Sequence, residues 1–249
     1  MVRWSSVLFF MVTGIAGLLS LGGPTALWAV DKADVPRLIK QLSDRDVILR
    51  RQAAELLGKL GPDAKPATEA LIKALQDNDA FVVRFAAKAL GGIGPDAKQA
   101  IPTLARLLRH ESTEISDAAS EALGKMGPEA VQPLIAALKE DDVFVKQQAV
   151  RALGKLGPAA APAVPELIEN YKSLPMRPGL VRRNVNAAEL RIAIVNTLGD
   201  IGPGAKDAVP VLRETLSNQQ VRDRGLRQAI NQAIRKIERP VRAKPGQTG

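Results

Sequence analysis

One phrase occurs five times along the chain: LLGKLGP at 56–62, ALGGIGP at 89–95, ALGKMGP at 122–128, ALGKLGP at 152–158 and TLGDIGP at 197–203. Its last glycines, Gly61, Gly94, Gly127, Gly157 and Gly202, stand 33, 33, 30 and 45 residues apart. A recurrence near 33 residues excludes a single closed core, because a unit that short must bury its apolar face on the next copy. Four residues before each glycine stands Leu57, Leu90, Leu123, Leu153 or Leu198, and eight before it Ala53, Ala86, Ala119, Ala149 or Ile194. Twelve before it stands Leu49, Val82, Ile115, Val145 or Leu190. Steps of four trace one stripe on a helix of about three turns, here helix B. The closing Gly-Pro predicts its end, with glycine in a left-handed C′ conformation and a proline that cannot continue the helix. The earlier glycine, Gly58 and its equivalents, costs about 1 kcal/mol of helix propensity relative to alanine. That cost fits a close approach by the next repeat.

A second amphipathic stretch, helix A, follows each Gly-Pro: ATEALIKAL, AIPTLARLL, AVQPLIAAL, AVPELIENY and AVPVLRETL. Pro102, Pro133, Pro165 and Pro210 fall near its start, where a missing N–H is tolerated. Acidic turns, SDRD at 43–46, QDND at 76–79 and KEDD at 139–142, lead back to helix B. Each unit is therefore a helical hairpin. The first, 34–61, and the last, 205–238, which lacks the Leu-Gly phrase, read as capping units.

These residues resemble the HEAT repeat, in particular the short bacterial subtype called the phycobilisome lyase HEAT-like repeat. The likeness rests on the aliphatic, the Ala-Ala pair and the Leu-Gly-x-aliphatic-Gly-Pro ending, as in Val82, Ala86-Ala87 and Leu90-Gly91-Gly92-Ile93-Gly94-Pro95. It covers about residues 34–238. The resemblance implies an all-α fold, a right-handed α-α superhelix (HEAT-repeat solenoid) of about six helical hairpins with helix B lining the concave side. It implies no activity by itself, since such repeats serve unrelated roles.

Composition removes several chemistries. The 249 residues contain no cysteine, which excludes disulfides, thiol nucleophiles and cysteine zinc sites, and the single histidine, His110, excludes any two-imidazole mechanism. HEAT-like deoxyhypusine hydroxylases build a di-iron site from several His-Glu pairs, whereas this chain has only His110-Glu111; no metal and no cofactor are expected. DNA glycosylases of HEAT-like fold need aromatics to hold an extruded nucleotide. Beyond residue 29 the chain keeps only Phe81, Phe85, Phe144 and Tyr171. Phe81 and Phe144, at the start of helix B, are expected to pack between repeats, and no nucleic acid is expected. A phycobilin-lyase-like or other HEAT-fold enzyme, or a nucleic-acid binder if the N-terminal segment is not an export signal, is the alternative to a non-catalytic binding scaffold.

Residues 1–29 read as an export signal: Arg3, an apolar run from Val7 to Leu21, then Gly22-Gly23-Pro24. That run of 15 residues spans about 22 Å as a helix, short of the roughly 30 Å hydrocarbon core. Cleavage after Ala29 would make the protein periplasmic or secreted; an uncleaved segment would tether it to the inner membrane. Residues 1–170 hold 20 basic and 20 acidic side chains, and residues 171–249 hold 15 and 6. The excess begins at an insertion, SLPMRPGLVRRNVN at 173–186, with Arg177, Arg182 and Arg183, and continues into a basic tail, 239–249, expected to be disordered. Positions ten and six before the repeat glycine face outward from helix B and hold Arg51 and Glu55, Arg84 and Lys88, Asp117 and Glu121, Gln147 and Arg151, Ile192 and Asn196. Arg51, Arg84, Lys88, Arg151, Arg177, Arg182, Arg183, Arg191 and Arg224 are therefore the candidate partner-binding residues. The expected partner is an acidic protein, with a cell-envelope or anionic membrane surface as a further possibility.

Overall fold

The computed structural model describes residues 30–174, 187–218 and 223–239. Residues 1–29, read above as an export signal, residues 175–186 of the insertion with Arg177, Arg182 and Arg183, and the tail beyond Arg239 lie outside the described residues. The described chain is all-α. The copies of helix A are α1 (Val35–Gln41), α3 (Thr68–Ala74), α5 (Ile101–Leu107), α7 (Val131–Leu138), α9 (Val164–Ser173) and α11 (Val209–Ser217). The copies of helix B are α2 (Val47–Leu60), α4 (Ala80–Ile93), α6 (Thr113–Leu123), α8 (Val143–Leu156), α10 (Ala187–Ile201) and α12 (Arg224–Ile237). Each A helix packs on the B helix that follows it, and the B helices stack in order from α2 to α12. This is the repeat superhelix that the spacing of the Gly-Pro phrase predicts.

The stripe of helix B is the core. Leu57, Leu90, Leu123, Leu153 and Leu198 are fully buried, and so are Ala53, Ala86, Ala119, Ala149 and Ile194. The earlier glycine of each phrase sits where the next B helix comes nearest. A Cβ on Gly91 would stand 2.8 Å from Cα of Ala122, and one on Gly199 would stand 3.0 Å from Cα of Ala233. At Gly58 the nearest atom, Cα of Ala89, is 3.6 Å away, an ordinary contact.

The end of helix B differs from the expectation. The closing glycines have positive φ, but ψ is −126° at Gly61 and −142° at Gly94, so they are not in the left-handed helical well. That extended region at positive φ is open essentially to glycine alone. The proline then opens a 3₁₀ helix ahead of helix A: Gly61–Ala67, Gly94–Ala100, Gly157–Ala163 and Gly202–Ala208, with a shorter Pro128–Ala130. Three residues per turn align positions i and i+3, and alanines occupy both: Ala64 and Ala67, Ala97 and Ala100, Ala160 and Ala163, Ala205 and Ala208, all fully buried.

Aspartates explain the acidic turns. Asp46 accepts the Ile48 N–H at 2.8 Å, Asp79 accepts those of Phe81 and Val82 at 3.1 Å, and Asp223 accepts that of Leu226 at 3.1 Å. Each satisfies donors that the first turn of its helix leaves open. The turn into α6 is closed differently: His110 accepts the Ser112 N–H on Nδ1 at 3.0 Å, so the one imidazole serves as a local cap.

Candidate functional site

The outward side chains of the B row are tied to one another across repeats. Arg50 and Arg51, adjacent on α2, both reach the acidic turn of the next hairpin. Arg50 donates from Nε to Asp77 Oδ2 at 2.7 Å and from Nη2 to Oδ1 at 3.1 Å, while its Nη1 holds the Asp44 carbonyl at 2.9 Å. Arg51 donates to both carboxylate oxygens of Asp79, with Nε to Oδ1 at 2.8 Å. Planar guanidinium forks match carboxylates in this two-bond geometry. The Arg51 guanidinium, helped by the capped N–H groups of Val82 and Phe81, holds the Asp79 carboxyl at about 2. The role of Arg50 was missed, because the position ten before the glycine singles out Arg51; the acidic QDND turn was the available signal.

Farther along, Asp117 on α6 accepts Gln148 Nε2 at 2.7 Å and Arg151 Nη1 at 2.6 Å, both from α8. Behind them Ser120 donates to the Gln148 carbonyl at 2.8 Å in the buried seam. Glu121 accepts Lys125 at 2.9 Å and lies 3.9 Å from Lys155 of the next helix. Lys236 of α12 pairs with Asp200 of α10 at 2.8 Å. Of the sequence candidates, Arg51 and Arg151 are thus engaged in cross-repeat pairs, and Lys88 and Arg224 are exposed.

Arg191 has to be removed from the surface set. It is 3% exposed, and its Nη2 donates to the Leu174 carbonyl at the end of α9. The guanidinium also lies 5.8 Å from the ring centre of Tyr171, whose hydroxyl donates to Thr215 at 2.9 Å. Burial lowers the pKa of Arg191. Its place in the sequence, on the basic side of the charge boundary, gave no sign that it turns inward to hold the root of the insertion.

Arg84 gathers a second arrangement. Phe81, expected between repeats, is instead 47% exposed, and two guanidinium groups stand over it: Arg51 at 4.6 Å and Arg84 at 5.0 Å from the ring centre. Arg84 also lies 5.1 Å from the centre of Phe85. A hollow of about 240 Å³ opens beside them, lined by Ala80, Phe81, Arg84, Ser112, Glu114 and Ile115. On its far wall Glu114 accepts the Ser112 hydroxyl at 2.7 Å; that bond and the nearby Arg84 charge lower the carboxyl's pKa. A larger hollow of about 760 Å³ lies between α1 and α3, but its Arg50 and Asp77 are already bound to each other. Among the described residues no three His, Cys, Asp or Glu side chains converge as a metal would require.

A family model described as HEAT repeats matches residues 35–123, 85–154 and 101–178. No curated protein matches the chain. Among solved structures the chain is similar to an engineered protein, 21% identical over 82% of this chain and 98% of that one, with a TM-score of 0.52. It is also similar to the designed armadillo repeat protein YIII(Dq.V1)4CPAF in complex with peptide (KR)4, 17% identical over 82% and 99%, with a TM-score of 0.51. The complex of CpcE and CpcF of phycocyanin lyase from Nostoc sp. PCC7120 is 21% identical over 90% and 82%, with a TM-score of 0.48. At these identities the likeness to the first two is one of fold.

Proposed function

Because the chain belongs to the HEAT-repeat family, we propose that it is a non-catalytic scaffold that holds a protein partner along its row of B helices. The observation that carries this reading is the set of cross-repeat pairs, Arg51 with Asp79, Asp117 with Gln148 and Arg151, and Asp200 with Lys236. They hold polar side chains of neighbouring helices at fixed spacing before any partner arrives. A surface ordered in advance loses less conformational freedom on binding. Six stacked helices at about 8–10 Å spacing make a row roughly 50 Å long, enough for a common interface of about 800 Å² per partner.

The partner is an acidic protein, drawn by the exposed Lys88 and Arg224 and by the charge excess of residues 171–249, 15 basic against 6 acidic. Residues 1–29 direct export, and the protein acts in the periplasm or outside the cell.

The test is capture from envelope extracts by the full chain, followed by mass spectrometry, beside a variant with Arg51, Arg84, Lys88 and Arg151 all changed to glutamate. A stoichiometric acidic protein is expected with the natural chain, and recovery at least about tenfold lower with the variant. Equal recovery, or no partner at all, rejects the reading. The intact mass of the exported protein checks the export step; it should correspond to residues 30–249.

A further inference from the structure

We propose that Phe81, Arg84 and the hollow beside them form the anchor point for an acidic-apolar segment of the partner, an aspartate or glutamate next to a large apolar side chain. This rests on the reading of the B row as a partner-binding face and names the place on it where specificity resides.

The first observation is apolar exposure. Among the described residues the large hydrophobic side chains left most open are Ile48, 49% exposed, and Phe81, 47% exposed. They occupy the same position, second in α2 and second in α4, one repeat apart. The hollow at Phe81, about 240 Å³ with Ala80 and Ile115 in its wall, exceeds the volume of about 150 Å³ that takes up a benzene ring in an apolar protein cavity. One aromatic or branched aliphatic side chain therefore fits.

The second observation is the state of the two cations around the ring. Arg51 is spent: both carboxylate oxygens of Asp79 hold it. Arg84 is not. Among the described residues it makes no hydrogen bond or ion pair, and its buried Nε has no partner. Its guanidinium lies over the rings of Phe81 and Phe85. A guanidinium placed over a ring need not use its terminal N–H groups there, and two of them can grip a carboxylate with two bonds. A guanidinium with no carboxylate bound to it in the wall of an apolar hollow selects a ligand that brings an acceptor beside an apolar group. Glu114 sharpens the choice. Its carboxylate is turned to Ser112 on the far wall, so an incoming acid is accommodated on the Arg84 side, while a basic segment meets two guanidinium groups at the ring.

The test uses short fluorescein-labelled Gly/Ser peptides carrying Asp-Phe-Asp, Asn-Phe-Asn, Asp-Ala-Asp or Lys-Phe-Lys at the centre, with anisotropy read against the full chain. Asp-Phe-Asp should bind about tenfold tighter than each of the others. Phe81→Ala and Arg84→Gln should each remove most of that preference, Glu114→Gln should tighten binding, and Phe144→Ala should leave it unchanged. Circular dichroism melting shows that the variants fold. Equal binding of the four peptides, or unchanged affinity in folded Phe81→Ala or Arg84→Gln, overturns the anchor. Capture of an acidic partner by the double variant Phe81→Ala/Arg84→Gln at the natural level overturns it too, while leaving the scaffold reading intact. Failure of the natural chain to capture any partner removes that reading itself, and with it the anchor.

Discussion

A single hydrogen in place of a methyl group sets the distance between repeats. Gly91 lies against Ala122 with no space for a Cβ, Gly199 is tight against Ala233, and Gly58 has room. Two substitutions of identical chemistry therefore have opposite signs. Gly91→Ala must push α4 and α6 apart and should lower stability by about 1–3 kcal/mol, the range of overpacked cores. Gly58→Ala meets only ordinary contact and should raise stability by up to about 1 kcal/mol through helix propensity. Urea midpoints of the two variants decide it; equal signs would show that the close approach at Gly91 does not set the spacing. The closing glycines act through the backbone, not through space. At Gly94, φ of +75° and ψ of −142° suit neither alanine nor asparagine, and these angles aim the following proline into the 3₁₀ turn.

Between elements the controlling parts are the acidic turns, where capping and clamping share one carboxylate. Asp79 caps α4 and binds Arg51 of α2, so it couples the start of one B helix to the middle of the one before. The folded carboxyl titrates at about 2 against an ordinary 3.8. A depressed folded value means that this stabilisation is complete above the unfolded value and is lost as pH falls from about 4 through about 2. Asp77 is shifted in the same direction: its burial acts the opposite way, but the Arg50 guanidinium and the Asp79 N–H outweigh it. The urea midpoint should therefore be flat between pH 7 and 5 and fall below pH 4. Asp79→Asn keeps a good cap but loses the charge, so it should cost ~1 kcal/mol at pH 7 and make the acid-side fall shallower. An unchanged acid profile in that variant would assign the fall to other carboxylates.

At the scale of the whole molecule, stability is a chain of neighbour contacts. α10 packs on α8 and on α12, and Leu226, Ile230, Ala233 and Ile237 of α12 are buried. A chain ending at residue 204 should therefore lose hydrogen-exchange protection in α10 while α4 and α6 keep theirs, as nearest-neighbour coupling requires. Uniform loss along the row would mean one cooperative core instead. Much of this architecture was legible in the sequence. Leu90, Ala86 and Val82 at steps of four, with Gly94-Pro95 after them, specify a helix, its buried stripe and its end, because helical periodicity and glycine and proline dihedrals are local properties. What only the tertiary structure decided are the relations between residues some thirty positions apart. Arg51 and Arg84 occupy equivalent positions in successive repeats and read alike along the chain, yet one is gripped by both carboxylate oxygens of Asp79 and the other, among the described residues, forms no ion pair. Arg191 reads as one more surface cation of the basic end and turns inward beneath Leu174, and Phe81 reads as packing and remains open. The physical reason is that a charge or a ring takes its role from what the neighbouring repeat places opposite it, and repeat periodicity specifies where that neighbour stands but not which side chain it presents there.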